Sequence, residues 1–70
     1  MTTEQYEALK LGTIAQWKIE ADDEDFLVMV VKVGVRYLVE VIAVFKGNDR
    51  VGQRLEVNEY NYYKYTLITE

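Results

Sequence analysis

Seventy residues without cysteine or histidine rule out disulfide staples, the usual zinc ligand sets and imidazole acid-base chemistry. Eight basic against twelve acidic side chains give a net charge of −4, which disfavours the phosphate neutralisation behind nucleic-acid binding. One domain spanning residues 1–70 is expected; it buries only about 60% of its unfolded surface, so it must stand on its core or on association with other chains.

The opening MTTEQYEALK offers a short helix at about residues 3–10. Thr2 can cap it with Gln5 in a capping box, Tyr6 and Leu9 share one face, and Gly12 ends it. So short a helix is marginal in water and needs something to pack on, so it should act as a lid or plug. No basic region followed by an apolar run stands here, and no segment reaches the roughly 20 apolar residues of a membrane span. The expectation is a cytoplasmic protein with no membrane partner.

From Thr13 the chain turns to Val, Ile, Tyr, Phe and Trp broken by turn residues, which predicts five strands: Thr13 to Glu20, Phe26 to Val33, Val35 to Phe45, Arg50 to Val57 and Tyr63 to Thr69. The connections are ADDED, a bend at Gly34, the turn KGND at Lys46 to Asp49, and NEYN. Residue numbering tests which positions share a face, because side chains alternate along a strand. The odd set is almost wholly apolar: Ala15, Trp17, Ile19, Leu27, Met29, Val31, Val33, Val35, Tyr37, Val39, Val41, Ala43, Phe45, Val51, Leu55, Val57, Tyr63, Tyr65 and Leu67, with only Thr13, Gln53 and Thr69 diluting it. It is the expected core, provided no bulge flips the parity. The even set mixes charge with an apolar surplus, of which Phe26, Val28, Val30, Leu38, Ile42 and Val44 form the expected homo-oligomer interface. Strand bending that turns both parities inward is the competing explanation.

Five short strands, an acidic first loop, tight central hairpins and the segment VNEYNYYKYTLI resemble an SH3-like small β-barrel across Gly12 to Ile68. The ALYDY stretch, the paired tryptophans and the turn proline of eukaryotic SH3 domains are absent, so the resemblance is one of fold. The fold class expected is all-β: a small five-stranded SH3-like barrel or curled antiparallel sheet with a short N-terminal helix. By that resemblance Tyr60 or Tyr62 would be the groove residue, between a 3-10 turn and the last strand.

Asp22, Asp23, Glu24 and Asp25 lack the glycine and distal Glu of a calcium loop, and four adjacent acids in a turn do not separate into catalytic acid and base. They read as a solvated turn or an acidic docking rim. Trp17 reads as a core residue whose indole N–H finds a carbonyl, or as a platform beside the acidic loop. No phosphate-binding glycine loop and no serine occur, so no catalytic residue, metal or cofactor is assigned. The expected function is a non-enzymatic protein-protein interaction module, an accessory or inhibitor protein acting as a homo-oligomer. Its partner-binding residues would be Tyr60, Tyr62, Asp22, Asp23 and Asp25. Two alternatives are an oligomer that sequesters a nucleotide-like small molecule between tyrosines and Arg36, Arg50 or Arg54, and single-stranded nucleic-acid binding on aromatic platforms, which the net acidity disfavours.

Overall fold

The computed structural model describes residues 1–68. Its elements run α1 (Thr3–Glu7), β1 (Ile14–Ile19), β2 (Glu24–Lys32), β3 (Tyr37–Lys46), β4 (Arg54–Val57), a 3-10 helix (Tyr62–Lys64) and β5 (Tyr65–Leu67). The strands form one antiparallel sheet in the order β4-β3-β2-β1-β5. It curls without closing, since β4 and β5 end the order and do not pair. The expected Thr69 end of the last strand lies outside the described residues.

The capping box forms as the sequence suggests. Thr2 Oγ1 accepts from the Gln5 amide at 3.1 Å, and Gln5 Oε1 accepts from the Thr2 amide at 2.8 Å. The helix stops at Ala8, short of the expected span. Five residues cannot hold a helix alone, and tertiary contacts supply the rest. Tyr6 stacks on Tyr62 at 4.7 Å and 12°, and meets Tyr37 edge-on at 5.1 Å. Leu9 is buried in the core. The Met1 ammonium donates to the Tyr65 carbonyl, and its desolvation lowers its pKa. The segment plugs one end of the curl.

The core consists of Leu9, Ala15, Phe26, Val28, Val30, Val39, Val41, Val57 and Tyr65, with Trp17, Tyr37, Val44 and Leu55 packed against it. This corrects the single-parity expectation. The connection between β1 and β2 is Glu20 to Asp23, four residues closed by the pair Ile19 and Glu24. A connection with an even number of residues makes odd residues face even ones across the hairpin, as in Trp17 opposite Phe26 and Ala15 opposite Val28. Phe26, Val28 and Val30 therefore belong to the core and not to an interface.

Bulges shift the parity again in β3. Leu27 pairs with Ala43 and Val28 with Val41, which leaves Ile42 unpaired; Asp25 pairs with Lys46 and Phe26 with Val44, which leaves Phe45 unpaired. An extra residue bends the strand and moves the residues beyond it to the other face. Val44 thus turns inward, while Ile42 is 37% exposed and Phe45, expected inside, is 60% exposed; Val35 and Val51, also expected inside, are exposed because one lies in the bend after Gly34 and the other in the turn before β4. The expected start of β4 at Arg50 moves to Arg54 because Arg50 to Gln53 forms a turn, with the Gln53 amide donating to the Arg50 carbonyl at 2.9 Å. Gly52, at φ 92°, donates to the Val41 carbonyl while the Val41 amide donates to Gln53, so two residues oppose one in a glycine bulge.

Candidate functional site

The tyrosine-rich segment divides by secondary structure. β4 and β5 point the same way, since successive neighbours in the sheet are antiparallel, so Asn58 to Lys64 must run back along the strands. Asn58 Oδ1 accepts from the Tyr60 amide at 2.9 Å, Asn61 Oδ1 from the Asn58 amide at 2.9 Å, and Asn61 Nδ2 donates to the Glu56 carbonyl at 3.0 Å. These bonds hold the turn and satisfy its backbone. Tyr65 is only 2% exposed, and burial pushes its hydroxyl pKa up to about 12. Tyr62 is half-buried under Tyr6, with its hydroxyl 2.9 Å from Thr3 Oγ1, so it serves the helix contact and not an open groove. Tyr60 stands 77% exposed. Tyr63, expected inside, is 63% exposed because the 3-10 turn replaces strand alternation there.

The acids of the first loop have separate local partners. Asp23, at φ 53°, lies 3.8 Å from Lys46 Nζ with both side chains largely in solvent, a contact of little energetic weight. Asp25 accepts from Gln16 Nε2 at 2.7 Å, and Glu24 meets Arg50 at 2.8 Å. Asp22 is exposed. Among the described residues no three acidic side chains gather as cation ligands. The loop sits at the start of β2, whereas Tyr62 packs on Tyr6 and so beside Tyr37, which stands opposite the far end of β2. Tyr62 and the acids therefore lie at opposite ends of the sheet and do not make one rim.

Two other features stand out. The first is a cavity of about 220 Å³ at the unplugged end of the curl, lined by Trp17, Glu24, Phe26, Arg50, Leu55, Glu56, Asn61 and Tyr65. Trp17 stacks near Phe26 at 6.0 Å and meets Tyr65 edge-on at 5.0 Å. The Arg50 guanidinium lies 5.1 Å over the Phe26 ring, and Lys64 Nζ lies 5.5 Å over Trp17. The indole N–H of Trp17 is buried and meets no acceptor among the described residues, contrary to the expected carbonyl partner.

The second is the convex face of the sheet. Pairing puts Ile14 opposite Met29 and Gln16 opposite Leu27, on the face away from Ala15 and Val28. Leu38 and Ala43 share this face, and Ile68, 44% exposed, continues it beside Ile14. Leu38 and Ile42 are the two expected interface residues that remain available there. Leu27 and Met29, assigned to the core by numbering, take the place of Phe26, Val28, Val30 and Val44. No sequence signal marks this switch: the connection reads as the five residues ADDED, and only the pairing of Ile19 with Glu24 makes it four.

No family model, curated protein or solved structure matches this chain. The functional reading therefore rests on these surfaces alone. No helix among the described residues is long and apolar enough to cross a membrane.

Proposed function

We propose that this protein is a non-enzymatic, cytoplasmic protein-interaction module that assembles with a second copy of itself through the convex face of its sheet. The observation that carries the reading is the apolar set Ile14, Leu27, Met29, Leu38, Ile42 and Ile68 on the face opposite the core, while α1 and the 3-10 helix pack on the other side. Contiguous apolar surface of this kind marks a docking site. A second copy suits it in geometry, because apolar sheet faces pack on one another at about 10 Å. It suits it in area too: a standard interface takes about 800 Å² from each partner, roughly one-sixth of the 4808 Å² this protomer exposes. Polar groups interrupt this face, since Gln16 stands opposite Leu27 and Glu40 opposite Met29, but each is already paired, Gln16 with Asp25 at 2.7 Å and Glu40 with Arg54 at 3.6 Å.

The test is mass in solution. Wild type at tens of micromolar should scatter light as a multiple of the 8.2 kDa chain, and Leu27→Lys should return it to one chain with an unchanged circular dichroism spectrum. A wild-type protein that stays at the single-chain mass overturns the reading.

A further inference from the structure

The two edge strands of the sheet are sealed in different ways. Gln53 bonds to Val41 on β3, and alternation makes Leu55 and Val57, opposite Val39 and Tyr37, the next residues bonded to that strand. Arg54 and Glu56 therefore aim their amides and carbonyls away from β3, at the open edge. Asn61 meets them there. Its Nδ2 donates to the Glu56 carbonyl at 3.0 Å while its Oδ1 accepts from the Asn58 amide at 2.9 Å, so the side-chain amide stands in for a peptide group of an added strand. On β5 the Tyr65 amide donates to the Tyr62 carbonyl and the Tyr65 carbonyl accepts from the Met1 ammonium, so no side chain is involved. We propose that the edge of β4 is a further self-association surface, on which two copies pair β4 to β4 antiparallel about Leu55, and that Asn61 with the turn it closes holds this surface shut.

A second copy is the occupant because the edge is self-complementary. An edge bonds only through its outward residues, so in a two-fold antiparallel pair Arg54 faces either Arg54 or Glu56 of the second copy. The first register sets like charges opposite each other. The second, centred on Leu55, sets opposite charges together twice, and each such pair exchanges both backbone bonds. Glu56 makes no ion pair among the described residues, and Arg54 has only the exposed 3.6 Å contact with Glu40, so both side chains are available. Leu55, half-buried against the core, would meet Leu55 of the second copy and lose its remaining exposure. The seal and the pairing compete for one atom: the Glu56 carbonyl that Asn61 holds is the acceptor that the Arg54 amide of the second copy needs. Opening gives up the two Asn61 side-chain bonds and swings the turn off the edge. Natural sheets guard their edges against such pairing, and here the guard is a movable side chain on a turn. The edge is separate from the convex face, so this inference does not rest on the assembly proposed above.

The test uses the full chain carrying Leu27→Lys, which takes the convex face out of the result. Leu27→Lys alone should scatter light as one chain at hundreds of micromolar, and Leu27→Lys with Asn61→Ala should reach twice the 8.2 kDa chain mass. Adding Arg54→Glu sets like charges opposite each other and should return the single-chain mass. Adding Glu56→Arg to that variant exchanges the two charges and should restore the doubled mass, a rescue that a general loss of stability would not produce. Both positions are exposed, so neither change disturbs the core. If Asn61→Ala lowers the far-ultraviolet circular dichroism signal, Asn61→Asp takes its place, since it still accepts from the Asn58 amide and loses only the donor to Glu56. A single-chain mass for the folded Asn61 variant overturns the proposal, as does a doubled mass that Arg54→Glu leaves intact. A doubled mass already present in Leu27→Lys and abolished by Arg54→Glu overturns the seal.

Discussion

Raising the pH above 10 should destabilise this protein through Tyr65. The side chain is 2% exposed, and burial raises its pKa from the ordinary value near 10 to about 12. The folded-state pKa is the higher one, so the stabilising contribution is complete below pH 10 and is lost as pH rises towards 12. Each pH unit in that window costs about 1.36 kcal/mol, because the unfolded chain releases the proton while the folded one keeps it. The loss is about 1.4 kcal/mol at pH 11 and approaches about 2.7 kcal/mol above pH 12. For 70 residues a total stability of roughly 3.5 to 10 kcal/mol is usual, so the effect is a large fraction of what holds the fold. Urea unfolding followed by far-ultraviolet circular dichroism at pH 8, 10 and 11 reads it out. Tyr65→Phe keeps the ring and removes the ionisable group, so lysines and other tyrosines titrate in both proteins. Wild type should lose about 1.4 kcal/mol relative to Tyr65→Phe between pH 8 and pH 11. Parallel pH profiles would refute the assignment of Tyr65 to the core.

Two substitutions test the corrected faces and the plug. Phe26→Ala should cost about 3 to 5 kcal/mol, as removal of a buried aromatic does, whereas Leu27→Ala, one residue on but on the convex face, should cost the single chain about 1 kcal/mol or less; comparable urea midpoints would contradict the parity switch. Tyr62→Ala should release α1, losing the Tyr6 stack, which is worth about 0.5 to 1.5 kcal/mol beyond the buried area, and speeding amide exchange at Leu9. Tyr60→Ala should change stability by no more than about 0.5 kcal/mol, and unaltered Leu9 exchange in the Tyr62 variant would show that the helix is held by something else.

Much of this molecule was legible in short-range sequence signals. The capping box at Thr2 and Gln5, the run of five strands and the position of Tyr65 all depend on residues within a few positions of each other, and local propensity and alternation describe them. The faces of β2 were not legible in the same way. Alternation says only that Phe26 and Leu27 point opposite ways; which one meets Trp17 depends on the loop that sets the pairing register. The bulges at Ile42 and Phe45 add to this, since an unpaired residue is defined by its partner strand and not by its own neighbours.

The candidate site shows the same division. Trp17 and Glu24 share one hairpin, but Arg50 lies far along the chain from both, and no spacing rule joins it to them. Curling of the sheet brings them around one cavity, and the same curling leaves the plug at the other end to absorb Tyr62. An all-β chain with a capped helix and an excess of apolar residues follows from local patterning alone. Which half of those residues became core followed from folding, because register and strand curvature are properties of pairs of strands, and a pair exists only once the chain has folded.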